Sequence, residues 1–315
     1  MNMLPDSLNQ NETLSRKDIL LVAFLSIAYL ALSYFLIGYK QEQLLLVALF
    51  SGCYFLSAVT RKFILGFSVF IVFWIIFDYM KAFPNYLYND VHIRSLYLKE
   101  KAFFGLTENG TLITPNEYWL RHHNTFLDVL SGFFYLSWIP VPLMFGAFLF
   151  FKDRRMFFRF SLTFLLVNLL GFCLYYIYPA APPWYIQQYG FDFIPGTKGN
   201  TAGLVRFDTF FGVNIFRGLY EKSSNVFAAM PSLHSSYPLI VLYYGIKSRS
   251  GWMNLFFTAV MVGIWFAAVY TSHHYVLDVI AGIVCAITGI FLFNRLLNKS
   301  RLIQNFMDRI VAAVS

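Results

Sequence analysis

Eight apolar runs, each close to the length needed to cross a bilayer, recur along this chain of 315 residues. The runs cover about 18–38, 43–60, 63–81, 126–151, 157–179, 232–247, 252–271 and 274–297. A helix needs about 20 apolar residues to span a membrane. Only 13% of the residues are charged, roughly half the fraction found in soluble domains. The sequence therefore predicts an all-α, polytopic membrane protein with about eight transmembrane helices, because helices satisfy their backbone groups within lipid.

The basic residues concentrate in alternate connections between these runs. They are Arg16, Lys17, Arg61, Lys62, Lys152, Arg154, Arg155, Arg159, Lys247, Arg249, Arg295, Lys299 and Arg301. With eight spans, all of these positions share one side of the membrane. The positive-inside rule places that side, together with both termini, in the cytoplasm. Membrane orientation thus accounts for the net charge of +8, and no nucleic-acid partner is predicted.

The opposite, outer side receives two long segments, 82–125 and 180–231, and all six histidines. We predict three regions along the chain: an N-terminal region, residues 1–62, with a cytoplasmic segment and two extra helices; a membrane core, residues 63–300; and a cytoplasmic tail, residues 301–315. The three cysteines fall inside predicted spans, so they predict packing rather than disulfides.

Two short motifs place ionisable side chains where an outer segment enters an apolar run. Residues 230–234 read Met-Pro-Ser-Leu-His, and residues 273–278 read His-His-Tyr-Val-Leu-Asp. Such side chains are costly at a membrane boundary and mark functional sites. His274 and Asp278 are four residues apart, so on a helix they share a face. This pattern predicts a nucleophile or base, His274, with Asp278 as its orienting partner.

The segment around these motifs offers groups that bind phosphate. Pro231 begins a helix whose first amides, near Ser232 and Leu233, favour an anion, and the Ser232 hydroxyl and His234 lie beside them. The glycine-rich stretch 196–208 adds Lys198 and Arg206 as cationic donors.

The order Pro-Ser-x-His, then His-x-x-x-Asp, with one helix between, resembles the type 2 phosphatidic acid phosphatase superfamily. The resemblance implies a six-helix, lipid phosphatase-like catalytic core. His234 corresponds to the histidine of the second motif, and His274 and Asp278 to the third. Leu233 stands where that family has glycine, and Ala268 where it has a phosphate-binding arginine. The first motif of the family has no clear counterpart near residues 178–183.

These departures are similar to those of the inositol phosphorylceramide synthase branch of the superfamily. The similar stretches are 123–128, 181–185, 203–208, 230–235 and 272–275. The resemblance implies that His274 attacks phosphorus and that His234 transfers the proton, with neither a metal nor another cofactor. The substrate- and phosphate-binding residues that it implies are Arg206, Lys198, Ser232, Leu233, His273, Asp208, His123 and Asp128. Arg206 or Lys198 would replace the missing cations.

The resemblance implies a phosphotransferase that moves phosphoinositol, or a similar head group, between two lipids. The donor is a phosphatidylinositol-like phospholipid, the acceptor is a ceramide-like alcohol, and the intermediate is a phospho-histidine. The alternative is a lipid phosphate or polyprenyl pyrophosphate phosphatase that uses the same histidines with water as acceptor. Leu233 and Ala268 disfavour it, because a phosphomonoester dianion needs more positive charge than these positions supply.

A third hypothesis is a transporter or a metal-binding membrane protein. It predicts ionisable residues in the middle of several spans, whereas here nearly all lie near span ends. For the location, the compactness of the chain favours a bacterial inner membrane with a periplasmic active site. The alternative is a Golgi membrane with a lumenal site.

The charge distribution predicts which positions an impermeant thiol reagent reaches in intact cells. In an Asn200→Cys variant the new thiol should react, and in an Arg155→Cys variant it should not, because the basic cluster 152–159 faces the cytoplasm. The unsubstituted chain, with Cys53, Cys173 and Cys285, gives the labelling baseline. The reverse labelling pattern would contradict the predicted orientation.

Overall fold

The computed structural model describes residues 14–220 and 225–315. The first 13 residues of the predicted N-terminal region, and residues 221–224 of the outer segment 180–231, lie outside the described residues. The helices are α1 (Arg16–Ile37), α2 (Gln41–Leu56), α3 (Ala58–Tyr79), α4 (Arg94–Phe104), α5 (Pro115–Arg121), α6 (Thr125–Leu136), α7 (Pro140–Lys152), α8 (Arg154–Ile177), α9 (Pro183–Tyr189), α10 (Val205–Phe211), α11 (Ile215–Tyr220), α12 (Leu233–Lys247), α13 (Met253–Tyr270), α14 (Val276–Lys299) and α15 (Arg301–Val314). A two-stranded antiparallel hairpin, β1 (Leu106–Glu108) and β2 (Thr111–Ile113), joins α4 to α5.

Every predicted apolar run corresponds to a helix or a pair of helices, which confirms the all-α membrane fold. Five helices among the described residues are long and apolar enough to cross a membrane: α1, α3 with its 3-10 extension to Ala82, α8, α13 and α14. The bent pair α6 and α7 makes a sixth. The two remaining runs form shorter helices, α2 with 16 residues and α12 with 15. The protein is thus a multi-pass membrane protein.

The fourth run is not the single straight helix that its apolar character predicts. The chain bends by 41° between α6 and α7. Pro140 begins α7, and proline has no N–H for the preceding turn and clashes with its carbonyl groups. The bend leaves Tyr135 and Trp138 beside the motif histidines.

Packing divides the chain into two units. One comprises Met1–Ala82, described from residue 14, with Met307–Ser315, and the other comprises Phe83–Phe306. In the first unit, α2 packs against α3, and the Ser33 hydroxyl lies 2.8 Å from the Tyr79 hydroxyl. All of the predicted site residues lie in the second unit. The predicted boundaries at residues 62 and 300 stay predictions.

The second unit is built around α12, which packs against α8, α13 and α14, while α6 packs on α13. At one end of this bundle, the Lys152 ammonium donates to the Ser248 carbonyl oxygen at 2.9 Å, and Arg159 Nη2 donates to Asn294 Oδ1 at 3.1 Å. The basic residues of α7, α8, α12 and α14 therefore meet at one end, as the positive-inside pattern requires. The histidine motifs open α12 and α14 at the other end.

The two outer segments do not form open loops. They form a folded cap. The cap consists of residues 83–121, with α4, the hairpin and α5, and residues 180–220, with α9, α10 and α11. His92 and Ala180 form a parallel bridge, which ties the two segments together. The Asn85 amide donates to the carbonyl oxygens of Tyr175 and Phe227 at 2.9 and 2.8 Å. These bonds satisfy backbone groups that regular structure leaves unpaired.

The starts of α12 and α14 are fastened to each other through backbone groups. The Ser232 N–H donates to the Asp278 carbonyl oxygen at 2.9 Å, and the Ser236 hydroxyl donates to the Gly282 carbonyl oxygen at 2.7 Å. The two helices approach so closely that a Cβ atom on Gly282 would lie 2.1 Å from the Ser232 carbonyl oxygen. Gly282 is therefore required for the distance between the two histidine motifs.

This contact predicts that Gly282→Ala lowers the midpoint of thermal unfolding of the purified protein in detergent. Overpacking of this kind costs about 1–3 kcal/mol, because the neighbouring atom is backbone and cannot turn away. Gly52→Ala is the matched control, since a Cβ on Gly52, in α2, meets no atom within 4 Å. There, replacing glycine within a helix should stabilise by about 0.5–1 kcal/mol. Equal midpoints for Gly282→Ala and the unsubstituted protein would contradict the described packing.

Candidate active site

His234 and His274 face each other at the end of the bundle that the cap covers. His234 Nδ1 lies 3.4 Å from His274 Nε2. On the other side of the His274 ring, Nδ1 lies 3.6 Å from Asp278 Oδ2, somewhat beyond a hydrogen bond. The structure thus brings together all three residues predicted as catalytic, in the order His234, His274, Asp278. One nitrogen of His274 is left for reaction while the other faces a carboxylate.

Asp278 is fully buried at the start of α14. Its Oδ2 atom accepts the Tyr275 N–H at 2.8 Å, which caps the helix and fixes the carboxylate beneath the His274 ring. Asp278 Oδ1 and His274 Nδ1 are both buried and have no hydrogen-bond partner among the described residues. A small movement of the His274 ring toward Asp278 would bring Nδ1 within hydrogen-bond distance of Oδ2. In enzymes without bound substrate, hydrogen bonds between catalytic residues are often this long, and they shorten when the substrate binds.

The catalytic loop, residues 271–275, is held from several sides. The Ala268 carbonyl oxygen accepts the N–H groups of both His273 and His274, at 3.1 and 2.9 Å. The fully buried Asn116 of α5 donates to the carbonyl oxygen of His274 at 2.9 Å. Ser272 has φ of 60°, which is unusual for a residue with a side chain. A conformation that costs energy persists only where its surroundings determine it, so the loop is rigid around His274.

The cap contributes two further bonds to the catalytic loop. The Trp184 N–H of α9 donates to the Ser272 carbonyl oxygen at 3.0 Å, and the Gly203 N–H donates to the Thr271 carbonyl oxygen at 2.9 Å. At Gly203 a Cβ atom would lie 2.8 Å from Thr271 Cα, so only glycine allows this approach. Gly203 therefore serves the contact between two stretches of backbone.

Glu100 of α4 supports the start of α14 and has no counterpart in the sequence motifs. Its fully buried carboxylate accepts the N–H groups of Val276 and Leu277, at 2.9 and 3.1 Å. These are the first two helical residues, whose amides have no partner within the helix. Burial raises the pKa of Glu100 to about 7, although both amide bonds act in the opposite direction. The charge at this helix start therefore changes near neutral pH.

Aromatic rings enclose the two motif histidines. The Tyr135 hydroxyl lies 3.2 Å from His234 Nδ1, and the Trp138 ring packs edge-on against His234 with centroids 4.5 Å apart. His273 stacks between Tyr135 and Tyr220, at centroid distances of 5.2 and 4.5 Å. Aromatic side chains therefore line the site on the sides of His234 and His273.

His273 itself links the catalytic loop to the cap. Its Nε2 donates to the Thr201 carbonyl oxygen at 3.0 Å. Burial lowers the pKa of His273 well below its ordinary value, so the ring is neutral. Its described contacts hold the loop in place, and its predicted contact with substrate stays a prediction.

Asp128 joins three of the predicted binding residues into one cluster. Asp128 Oδ1 accepts from Arg206 Nε at 2.6 Å and from the Tyr270 hydroxyl at 2.8 Å, while His123 Nδ1 lies 3.5 Å from Oδ2. The structure thus brings His123, Asp128 and Arg206 together. Arg206 Nη2 is buried and has no hydrogen-bond partner among the described residues. It lies 2.9 Å from the Cβ position of Gly203, which in turn donates to the catalytic loop.

Two further predicted binding residues, Lys198 and Asp208, lie in different environments. Lys198 is exposed and has no hydrogen bond or ion pair in the described stretches of the chain. Both carboxylate oxygens of Asp208 accept backbone N–H groups, from Phe216 at 3.2 Å and from Arg217 at 3.0 Å. Asp208 therefore caps the start of α11, and its predicted role in binding stays a prediction.

Two residues of the motif 230–234, Leu233 and Ser232, make packing and backbone contacts with neighbouring helices. The Leu233 side chain is buried against α8, where a Cβ on Gly171 would lie 2.6 Å from it, so the leucine fills a space that Gly171 leaves open. The Ser232 N–H is bonded to the Asp278 carbonyl oxygen. In the described conformation this amide therefore already has a partner, and the predicted contact of Ser232 and Leu233 with a phosphate stays a prediction.

The positions where the resembled family has a serine and an arginine are packed shut. Ala267 and Ala268 are fully buried in a cluster with Leu204, Phe207 and Phe216. An arginine there would need the space that these side chains occupy. A cation for the phosphate must come from elsewhere, and Arg206 has an unpaired nitrogen in the same region.

Sequence reasoning missed Glu100, Asn116 and Tyr135. Asn116 lies in the first turn of α5. The sequence does indicate this helix start, since Thr114 and Glu117 form a capping box around Pro115. Glu100 gave no such signal, because a glutamate on an amphipathic helix is normally exposed. Tyr135 lies within an apolar run, where a tyrosine is normally read as a packing residue.

Comparison with known proteins gives consistent matches. The family model described as "PAP2 superfamily" matches residues 111–292. The chain is 46% identical to phosphoinositol dihydroceramide synthase of Bacteroides thetaiotaomicron over 297 residues, which are 94% of this chain and 97% of that protein. It is 28% identical over 237 residues to inositol phosphorylceramide synthase catalytic subunit AUR1 of Saccharomyces cerevisiae, covering 74% of this chain and 57% of that protein.

A third relative is inositol phosphorylceramide synthase of Candida albicans, which is 30% identical over 168 residues, or 49% of this chain and 34% of that protein. The chain thus spans about half or less of the fungal relatives but nearly the whole Bacteroides protein. No solved structure matches the chain.

Proposed function

The chain belongs to the PAP2 superfamily, and we propose that it is a phosphotransferase that moves phosphoinositol from a phosphatidylinositol-like lipid to a ceramide-like alcohol. The names of the Bacteroides and fungal relatives support this pair of substrates. The observation that carries the proposal is the arrangement of His234, His274 and Asp278, with 3.4 Å between the two histidine rings. It supplies a nucleophile, a proton carrier and an orienting carboxylate without further groups.

In the first step, His274 Nε2 attacks the phosphorus of the donor lipid, and the bond from phosphorus to the diacylglycerol oxygen breaks. His234, which must be protonated in the donor complex, gives its proton to that oxygen and becomes neutral, and the oxygen leaves as the alcohol of diacylglycerol. In the second step, His234 takes the proton of the acceptor hydroxyl, whose oxygen displaces His274 from phosphorus. Both histidines are thereby returned to their starting state.

His274 is in the protonation state that this reaction needs. Its ring lies in the catalytic loop, outside the helix α14, and burial lowers its pKa to about 4. The imidazole is therefore neutral at pH 7, as a nucleophile must be. When Nε2 bonds to phosphorus the ring becomes cationic, and the buried Asp278 carboxylate at Nδ1 then stabilises it.

Binding of the donor requires the two histidine rings to separate. A reacting nitrogen lies about 3–3.5 Å from phosphorus in a near-attack geometry. The leaving oxygen, placed beyond phosphorus, must also reach a nitrogen of His234. The 3.4 Å between Nδ1 of His234 and Nε2 of His274 leaves no room for these atoms. We propose that the His234 ring rotates away from His274 when the donor binds and then contacts the leaving oxygen. The rigid catalytic loop keeps His274 in place.

The limited positive charge favours a phosphodiester donor. We propose that Arg206 supplies the cation for the phosphoryl oxygens through Nη2, which is buried and unpaired among the described residues. Its Nε atom remains bound to Asp128, which fixes the guanidinium plane. A phosphodiester carries one negative charge and a phosphomonoester dianion carries two. Because Asp128 already balances much of the Arg206 charge, the site suits the phosphodiester better than the dianion. The proposed mechanism uses no metal ion, since neutral imidazole is itself the nucleophile.

The proposed location is a bacterial inner membrane with the active site on the periplasmic face. The Bacteroides relative, matched over nearly its whole length, supports a bacterial membrane over a Golgi membrane. The placement of the basic residues of α7, α8, α12 and α14 at the end of the bundle opposite the histidines supports the periplasmic side.

Supplying one or both lipids to the purified protein separates transfer from hydrolysis. With phosphatidylinositol alone, we expect slow release of inositol phosphate, because the cap and the aromatic walls restrict water. Adding ceramide should yield diacylglycerol and inositol phosphorylceramide in equal amounts. The rate should be unchanged in EDTA.

His274→Ala should abolish both products, since it removes the nucleophile. Dominance of inositol phosphate with ceramide in excess would overturn the transferase proposal in favour of the phosphatase. Loss of activity in EDTA, restored by a divalent ion, would overturn the metal-free mechanism.

A further inference from the structure

A second cluster of cations lies at the end of the bundle opposite the histidines. Asn294 of α14 is its centre: Asn294 Oδ1 accepts from Arg159 Nη2 at 3.1 Å and from the Lys247 ammonium at 3.2 Å. The Asn294 amide nitrogen donates to the Tyr243 hydroxyl at 3.1 Å, and Lys247 also reaches that hydroxyl at 3.3 Å. Three helices, α8, α12 and α14, contribute to the cluster.

The cluster has more positive charge than its described partners balance. Arg159 and Lys247 converge on one neutral amide oxygen, and no carboxylate of the described residues pairs with either. Arg159 Nε is buried and has no hydrogen-bond partner among the described residues. Two cations that share a neutral acceptor repel each other, and an anion between them would relieve this repulsion. The cluster therefore has the electrostatic character of an anion site.

A cleft of about 540 Å³ opens at this cluster. Beside the polar groups, its walls are the apolar side chains of Leu239, Ile287, Ile290 and Phe291. Ile287 and Phe291 are 55% and 59% exposed, so the apolar wall continues onto the outer surface of α14. The cleft thus combines a cationic head with an apolar groove that opens sideways toward lipid.

The cleft is separate from the active site. Asp278 and Asn294 are sixteen residues apart on the straight course of α14, which corresponds to about 24 Å along the helix. Such a distance places the cluster near the opposite surface of the membrane, beside the exposed basic residues Arg295 and Lys299. Phosphate groups of phospholipids lie at this depth.

We propose that this cleft binds the phosphate group of an anionic phospholipid in the leaflet opposite the active site. The guanidinium of Arg159 and the ammonium of Lys247 bind the phosphoryl oxygens, with the Tyr243 hydroxyl and the Asn294 amide beside them. An acyl chain lies along Ile287 and Phe291. A free phosphate ion would leave this apolar wall unused, which is why a lipid is the proposed ligand.

The test is lipid binding by the full-length protein in detergent, followed by native mass spectrometry. Phosphatidylglycerol is compared with phosphatidylcholine of the same acyl chains, since neither is the proposed donor. We expect the unsubstituted protein to bind phosphatidylglycerol at least tenfold more tightly. In the double variant Arg159→Gln, Lys247→Gln this preference should be lost.

Two further double variants serve as controls. Arg295→Gln, Lys299→Gln removes two cations at the same end of α14 but outside the cleft, and it should keep the preference. Arg159→Lys, Lys247→Arg keeps both charges and should also keep it, which distinguishes loss of charge from loss of folding.

Three outcomes would overturn the proposal. In the first, both lipids bind equally to the unsubstituted protein. In the second, Arg295→Gln, Lys299→Gln loses the preference as fully as the cleft variant, which would show a general surface effect. In the third, inorganic phosphate at the same concentration displaces the bound phosphatidylglycerol, which would make the site one for the free anion.

Discussion

The hydrogen bond from the Ser232 N–H to the Asp278 carbonyl oxygen holds together the two halves of the active site. It joins the first residues of two helices whose histidines are forty residues apart in the chain, and Gly282 allows the approach. Because His234 lies in the first turn of α12 and His274 lies in the loop just before α14, this contact brings the two histidines close together. The same bond occupies an amide that would otherwise be free to bind an anion. In the described conformation the Ser232 amide therefore positions the two helices relative to each other.

Around this junction, the cap turns a helix bundle into an enclosed site. Glu100, Asn116, Trp184 and Gly203 each bond to the catalytic loop or to the start of α14 from a different element. The loop therefore keeps an unusual backbone conformation at Ser272, and the rings of Tyr135 and Trp138 pack against the motif histidines, where they would restrict water. A transferase needs this exclusion, since the phospho-histidine of the proposed reaction would otherwise pass its group to water.

The sequence predicted the elements whose signals are local. Apolar runs marked each membrane helix, and the two motifs marked His234, His274 and Asp278. His274 nevertheless lies in the loop before α14, and not, as the four-residue spacing predicted, on one helix face with Asp278. The bend at Pro140 was also readable, because proline cannot continue a helix, although the run was predicted as one span. Contacts between distant segments gave no local signal: Glu100 at the start of α14, Asp208 at the start of α11, and the folding of both outer segments depend on tertiary packing. The same holds for Lys198, whose exposed position could not be told from its charge.

The central claim is that His274 becomes covalently bound to the head group. The most direct measurement uses phosphatidylinositol labelled at phosphorus, a rapid quench without ceramide, and peptide mapping of the labelled protein. The account predicts label on His274, which a chase with ceramide transfers to lipid product before the quench, and no label in His274→Ala. Transfer at full rate with no labelled protein at any time, or label on His234 instead, would contradict it.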